Sequence, residues 1–304
     1  MYSIRQAFYI ANRSVVPMNL STSVMSSDLD LAKCCEFAKE LTLRAGKIIK
    51  HAFKGEKIVY KKEAAWDFVT DIDQKVEKMF IDGLSKEFPD HKIIAEETIA
   101  ALKELPKLTD EPTWFLDPID GTINFIHTFP QCCISVGLTV CKKPVLGIIY
   151  NPMTSELYTA ISGQGAFLNG KRIYTSKITE LKKAMLEIEP TVMIILLGKD
   201  RFLTRIETLV GTAKAIRSVG SAALGLAYVA RGALDCYHMD GLQAWDVVAG
   251  IVLVHEAGGT VMESTGGVYD IMKPNTIAAS NETLARELSK LIVETDLKVQ
   301  RKLA

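Results

Sequence analysis

Trp245-Asp246 runs straight into Val247-Val248-Ala249-Gly250-Ile251-Val252-Leu253-Val254, a stretch that reads as a helix with apolar residues nearly all round. Such a helix has no face to give to water, so it has to be buried between other elements. A carboxylate at the mouth of a buried helix must be a cap, an ion-pair partner or a metal ligand. From the residues alone, cap and ligand stand level for Asp246.

A second stretch points toward the ligand. Trp114-Phe115-Leu116 is an apolar strand that leads into Asp117-Pro118-Ile119-Asp120-Gly121-Thr122. Asp117 is expected at the carboxyl end of the strand and Asp120 at the opening of the next element, whose first free N–H groups belong to Gly121 and Thr122. Two hard oxygen ligands beside a helix-like N-terminus can hold divalent cations and cradle the anion they polarise. An Asx-type turn capping a short helix explains a lone motif of this kind as well. Acidic clusters recur, however, at Asp71-x-Asp73, Glu96-Glu97 and Asp246, each where a strand should end or a helix begin. Cations of the Mg²⁺ type take several carboxylates from separate segments, and this chain supplies them.

Periodicity predicts helices over Leu31 to Phe53 and Asp73 to Phe88, with Thr70 and Asp71 before the second. Strands are predicted at Lys57 to Lys61, Lys92 to Ala95, Trp114 to Leu116, Ile134 to Cys141, Val145 to Tyr150 and Glu156 to Ile161. Asn169-Gly170 marks a hairpin between Ala166-Phe167-Leu168 and Lys171-Arg172-Ile173. After about Thr179 strand and helix alternate, with helices expected at Arg201 to Val210, Ser221 to Ala230 and Trp245 to Glu256. The expected organisation is an α+β part over residues 28–178 and an α/β part over 179–304, packed tightly with the site between them.

Lys plus Arg equals Asp plus Glu at 36 each, which gives no surface suited to nucleic acid or to an anionic membrane. No apolar run approaches the roughly 20 residues of a membrane span. The expected partner is a small molecule. The cysteines form no C-x-x-C spacing and read as reduced thiols in an intracellular protein, with zinc not expected. Residues 1–27 carry Arg5, Arg13 and several serines with no acid, so they read as a flexible extension or an upstream start before Met18 or Met25, with a mitochondrial transit segment as the alternative to a cytoplasmic location.

Asp117-Pro118-Ile119-Asp120-Gly121-Thr122-Ile123-Asn124-Phe125 resembles the first signature of the inositol monophosphatase family. Trp245-Asp246-Val247-Val248-Ala249-Gly250, continuing to Glu256-Ala257-Gly258-Gly259, resembles its second. Asp67-Phe68-Val69-Thr70-Asp71-Ile72-Asp73, Glu96-Glu97, Gly163 to Gly170 and Arg217 to Ala223 fall between and before them in the family's order. The similarity extends from about Leu29 to Leu288 and is nearest to the animal-type enzymes.

The resemblance implies a layered αβαβα sugar-phosphatase fold, usually a homodimer, and a lithium-sensitive, Mg²⁺-dependent phosphomonoesterase of inositol metabolism and phosphatidylinositol signalling. Its substrate would be a myo-inositol monophosphate, cleaved by in-line attack of a metal-activated water. By position, Glu96, Asp117, Asp120, Asp246 and the carbonyl of Ile119 would hold two or three Mg²⁺ ions. Thr122 and Glu96 would bind the attacking water, with Asp73 hydrogen-bonded to Thr122. The N–H groups of Gly121 and Thr122 would hold the phosphate, and Gly220, Ser221 and Ala222 would face the ring. Lys62 stands where the family has a lysine near a third, weak metal position.

One departure concerns the ring. Animal members normally carry an acid or amide six residues before the second-signature aspartate, where it binds a ring hydroxyl. Here that position falls on Asp240, whereas ungapped alignment puts Met239 there, seven before Asp246. Asp240 is the residue expected to accept the bond, if the loop shifts by one. His238 beside it is expected to be a loop-surface histidine. The alternatives are a sugar, inositol-polyphosphate or 3′-phosphoadenylate phosphatase of the same superfamily, or a non-catalytic metal-binding paralogue.

Overall fold

The computed structural model describes residues 29–61 and 68–303, so the expectations for residues 1–27, Lys62 and Asp67 lie outside the described residues. The chain begins with helix α1 (Leu31–Ala52), capped by Asp30, whose carboxylate accepts the Lys33 N–H at 2.9 Å. A short hairpin, β1 (Val59–Lys61) with β2 (Phe68–Thr70), delivers α2 (Asp71–Glu87). Thr70 caps α2 in a reciprocal box with Asp73, so the helix starts two residues earlier than its periodicity alone indicated.

A seven-stranded sheet follows in sequence order: β3 (Lys92–Ala95), β4 (Thr113–Asp120), β5 (Cys133–Val140), β6 (Lys143–Asn151), β7 (Glu156–Ile161), β8 (Gly165–Leu168) and β9 (Lys171–Arg172). β3 and β4 run parallel, and the other neighbours are antiparallel. The expected Asn169-Gly170 hairpin joins β8 to β9. Two short helices interrupt the sheet's connections, α3 (Glu96–Leu102) after β3 and α4 (Thr122–Ile126) after β4.

α1 and α2 cover one face of this sheet, with Ile49, Val76, Phe80 and Leu84 packed on Trp114, Leu116 and Ile148. The other face carries α7 (Ala222–Ala230) and α8 (Ala244–Glu256). α8 is the helix that is apolar nearly all round, and the reason is its position: it lies between two sheets. It approaches the first sheet so closely that a Cβ on Gly147 would fall 2.2 Å from the Ala249 carbonyl oxygen. Beneath α7 and α8 lies a five-stranded sheet in the order β11 (Ala215–Arg217), β10 (Met185–Ile188), β12 (Cys236–Met239), β14 (Thr276–Ala279), β13 (Thr260–Glu263). Its first three strands are parallel and the last two antiparallel to their neighbours. The outermost layer holds α6 (Lys199–Thr212) and α9 (Glu282–Leu303), with α5 (Pro190–Leu197) packed on α6. The result is the expected αβαβα stack, mixed in both sheets.

Among the described residues α3, α5 and α9 were not anticipated; α3 is too short for its period to show. α5 is too short and too uniformly apolar for its period to separate helix from strand. α9 did carry a signal, namely Asn281, whose side chain accepts the Leu284 N–H at 3.0 Å, ahead of leucines at helical spacing.

Candidate active site

The first-signature motif departs from its expected layout. Asp117 does not end β4, which continues to Asp120. Opposite β5, however, Asp117 pairs with Ser135 and Asp120 with Cys133, so β4 carries one residue more than its partner between these points. That bulge re-aims the two carboxylates and the carbonyl of Ile119 away from regular alternation. Within it the Asp117 carboxylate accepts the Ile119 N–H at 3.0 Å. Gly121, at φ +89°, then turns the chain into α4, and a Cβ there would lie 2.9 Å from the carbonyl oxygens of both Gln131 and Gly220. Glycine is required on both counts.

Thr122 opens α4. Its hydroxyl lies 3.0 Å from the Ile119 carbonyl oxygen and 3.4 Å from an Asp73 carboxylate oxygen, so one proton is shared between two acceptors. Asp73 is fully buried and also accepts the Thr70 N–H at 2.9 Å and the Thr70 hydroxyl. Burial nevertheless prevails over these donors and pushes its carboxyl up to about 7.

The remaining acids arrive from β4, α3 and α8. Asp120 accepts the Ser221 hydroxyl at 2.8 Å and the Ala223 N–H at 2.6 Å, and burial still raises it to about 6. Asp117 is pushed well above the carboxylate range by burial and then by the fields of Glu96, Asp120 and Asp246. Glu96, first residue of α3, is also hydrogen-bonded to Asp117, a contact between two acids that needs a proton between them. Asp246 does cap α8, accepting the Gln243 N–H at 2.7 Å with one oxygen. Its position is tied to the first sheet, because the Ser135 hydroxyl donates to the Trp245 carbonyl at 2.9 Å.

Among the described residues no three such side chains converge tightly enough to enclose an ion as they stand. They converge in field: Glu96, Asp120 and Asp246 all act on Asp117, and no cation is among its main influences. Carboxylates brought together in this way bridge through protons, and hard divalent cations are the natural replacement for those protons. In donor chemistry, the set fits Mg²⁺.

Two of the ring-facing candidates have partners within the protein. The Ser221 hydroxyl is turned to Asp120, and its oxygen also caps α7 by accepting the Leu224 N–H at 3.3 Å. Asp240 is buried and one oxygen of its carboxylate accepts from Arg205 at 2.7 Å, while the other has no hydrogen-bond partner among the described residues. Burial pushes Asp240 up, but His238 and Arg205 together hold it below its ordinary value. His238 is no loop-surface residue: it is fully buried in β12, 3.2 Å from both Arg205 and the Thr276 carbonyl, and burial holds it below its ordinary value. Met239 is also buried in that strand. A tertiary ion pair with Arg205, in the middle of α6, leaves no mark in the local sequence.

The chain matches the model described as the inositol monophosphatase family over residues 30–296. Inositol monophosphatase 1 of Bos taurus is 40% identical over 267 residues, covering 86% of this chain and 94% of that protein. Inositol monophosphatase 3 of Solanum lycopersicum is 41% identical over 271 residues, covering 89% of this chain and 100% of that protein. Among solved structures, an IMPase of Thermotoga maritima is similar with a TM-score of 0.77 at 30% identity, covering 88% of this chain and 99% of that one.

Proposed function

We propose that this chain, which belongs to the inositol monophosphatase family, is a metal-dependent phosphomonoesterase that releases phosphate from a myo-inositol monophosphate. The observation that carries the reading is the electrostatic convergence of four acids from three elements beside a threonine bonded to a fifth buried acid. Glu96, Asp117, Asp120, Asp246 and the Ile119 carbonyl are the proposed ligands of two or three Mg²⁺ ions. When bound, these supply charge neutralisation of the phosphate, acidification of water and stabilisation of the leaving alkoxide.

The chain's own residues supply the geometry. Asp73 accepts the Thr122 proton, which leaves a lone pair of the Thr122 oxygen facing outward. That lone pair and the Glu96 carboxylate each accept a hydrogen from one water, fixing its remaining lone pair on phosphorus. The N–H groups of Gly121 and Thr122 hold phosphate oxygens whose charge grows in the transition state. Water is the nucleophile, so no phosphoenzyme forms. Gly220, Ser221 and Ala222, at the entry to α7, are proposed to face the ring. Asp240 belongs to the same proposal: one of its oxygens is paired with Arg205, and the other has no hydrogen-bond partner among the described residues.

Phosphate release from myo-inositol 1-phosphate with Mg²⁺, with and without Li⁺, tests this beside fructose 1,6-bisphosphate and 3′-phosphoadenosine 5′-phosphate. Lithium-inhibited release from the inositol ester alone supports the reading. Preference for another ester retains the site chemistry and overturns the substrate. No release from any points to a metal-binding paralogue. A homodimer is part of the proposal, to be checked by light scattering, as is a cytoplasmic location. Among the described residues no helix is long and apolar enough to cross a membrane.

A further inference from the structure

Between β10 and α5, the Glu189 carboxylate collects three donors from one loop: the Ser218 hydroxyl at 2.9 Å, the Val219 N–H at 2.8 Å and the Gly220 N–H at 2.5 Å. The carbonyls of Val219 and Gly220 point the other way, accepting the Asn124 side-chain amide at 2.8 and 3.2 Å. Val219 and Gly220 therefore each have both backbone groups bound, and the peptide unit between them is held from both sides. On one side is an acid at the end of a strand in the second sheet, and on the other an amide in α4, two residues past Thr122. The Gly220 carbonyl also forms one wall of the slot that admits only glycine at position 121. The next residue, Ser221, donates to Asp120.

We propose that Glu189 is a positioning residue for the reaction: it latches the Ser218–Gly220 loop so that the loop, through Asn124, Gly121 and Ser221, fixes the phosphate-binding turn and Asp120. This rests on the reading of the site as a phosphatase centre. Ser218 and Gly220 are exposed and Val219 is half-buried, so without the three bonds to one carboxylate, water could satisfy the same donors and the loop would be free to leave this position. Misplacement of a reactive group by about 1 Å can cost about a hundredfold in rate.

Glu189→Leu keeps the approximate bulk and removes the acceptor of all three donors. It is expected to lower kcat at least about tenfold with KM changed less than about threefold, and to weaken Mg²⁺ binding measured by calorimetry, with the circular dichroism spectrum retained. Asn124→Ala is expected to do the same. The double variant should be no worse than the poorer single, since both break one bridge. Glu256 provides the control. It makes a similar latch, accepting the Gly163 and Gly165 N–H groups at 2.7 and 2.6 Å, at the far end of α8 from Asp246. Glu256→Gln should leave kcat and Mg²⁺ binding at wild-type values.

Wild-type kcat and Mg²⁺ affinity in Glu189→Leu would overturn the proposal. So would effects of Glu189→Leu and Asn124→Ala that multiply in the double variant, or an equal loss in Glu256→Gln, either of which would reveal general destabilisation. If the wild-type protein itself releases no phosphate, the proposed function fails. The Mg²⁺-binding cycle still decides whether Glu189 and Asn124 act as one unit on the site.

Discussion

The Asp120 carboxylate accepts a hydrogen bond of 2.8 Å from the Ser221 hydroxyl, so the last residue of a strand in the first sheet is held by the cap of a helix lying between the sheets. Ser221→Ala removes that bond and the α7 cap together. The expected loss is about 1–2 kcal/mol in urea unfolding, with kcat reduced but measurable because the Ala223 N–H still holds Asp120.

Thr122→Ala removes the hydroxyl that lies between Asp73 and the Ile119 carbonyl. Turnover should fall by about 10²–10⁴-fold while Mg²⁺ binding by calorimetry is spared. Thr122→Ser, which keeps the hydroxyl, should retain most of the rate. Unchanged turnover in the alanine variant would sink the proposed role.

Asp117 is held well above the carboxylate range and Asp120 at about 6, so acids that must be ionised to bind a cation keep protons at mildly acidic pH. Mg²⁺ binding should release protons, and more of them at pH 6 than at pH 8. Affinity should therefore rise with pH over that range. Calorimetry in buffers of different ionisation enthalpy would detect the release, and equal heats in all buffers at pH 6 would contradict it.

Glu187 is buried without a hydrogen-bond partner on either carboxylate oxygen, and burial pushes it well above its ordinary value. The folded chain then binds a proton that the unfolded chain gives up above about pH 4.3, so the contribution of this group to stability falls as pH rises toward the folded value. Glu187→Gln should stabilise the fold by at least about 1 kcal/mol at pH 8 and have little effect at pH 4, read from denaturant midpoints.

Arg205 is 1% exposed and bonds to both Asp240 and Asp296. Arg205→Met strands two buried carboxylates and should cost about 3–5 kcal/mol in guanidinium unfolding. Replacing Asp240 and Asp296 by leucine in the same chain should restore much of the loss. A triple variant as unstable as the single would show that packing of the long side chain, and not its charge, mattered.

The acids of the site were legible because each stands at a break in a pattern: Asp117 and Asp120 where an apolar strand meets Gly121, Asp246 where a polar start meets a wholly apolar helix, and Glu96 at the end of β3. Thr70 and Asp71 were visible ahead of the second helix, whereas the reciprocal box of Thr70 with Asp73 came from the structure. Asn124 lay within the motif, but its bonds to Val219 and Gly220 join residues about a hundred positions apart, and spacing carries no trace of them. The ion pair of Asp240 was hidden for the same kind of reason. Its partner is 35 positions away on a different layer.

By itself the sequence determined most elements up to the Asn169-Gly170 hairpin and three helices after it, because periodicity, caps and turn residues act within a few positions. The apolar α8 demanded layers on both sides, and the motifs named the acids. Only the tertiary structure decided how those acids are held. A bulge opposite Ser135 and Cys133 aims Asp117 and Asp120, Ser221 reaches back to Asp120, and Glu189 spans a loop to Asn124. These relations depend on how two sheets stack across α7 and α8, and that stacking is set by shape and burial summed over the whole chain rather than by any local run of residues.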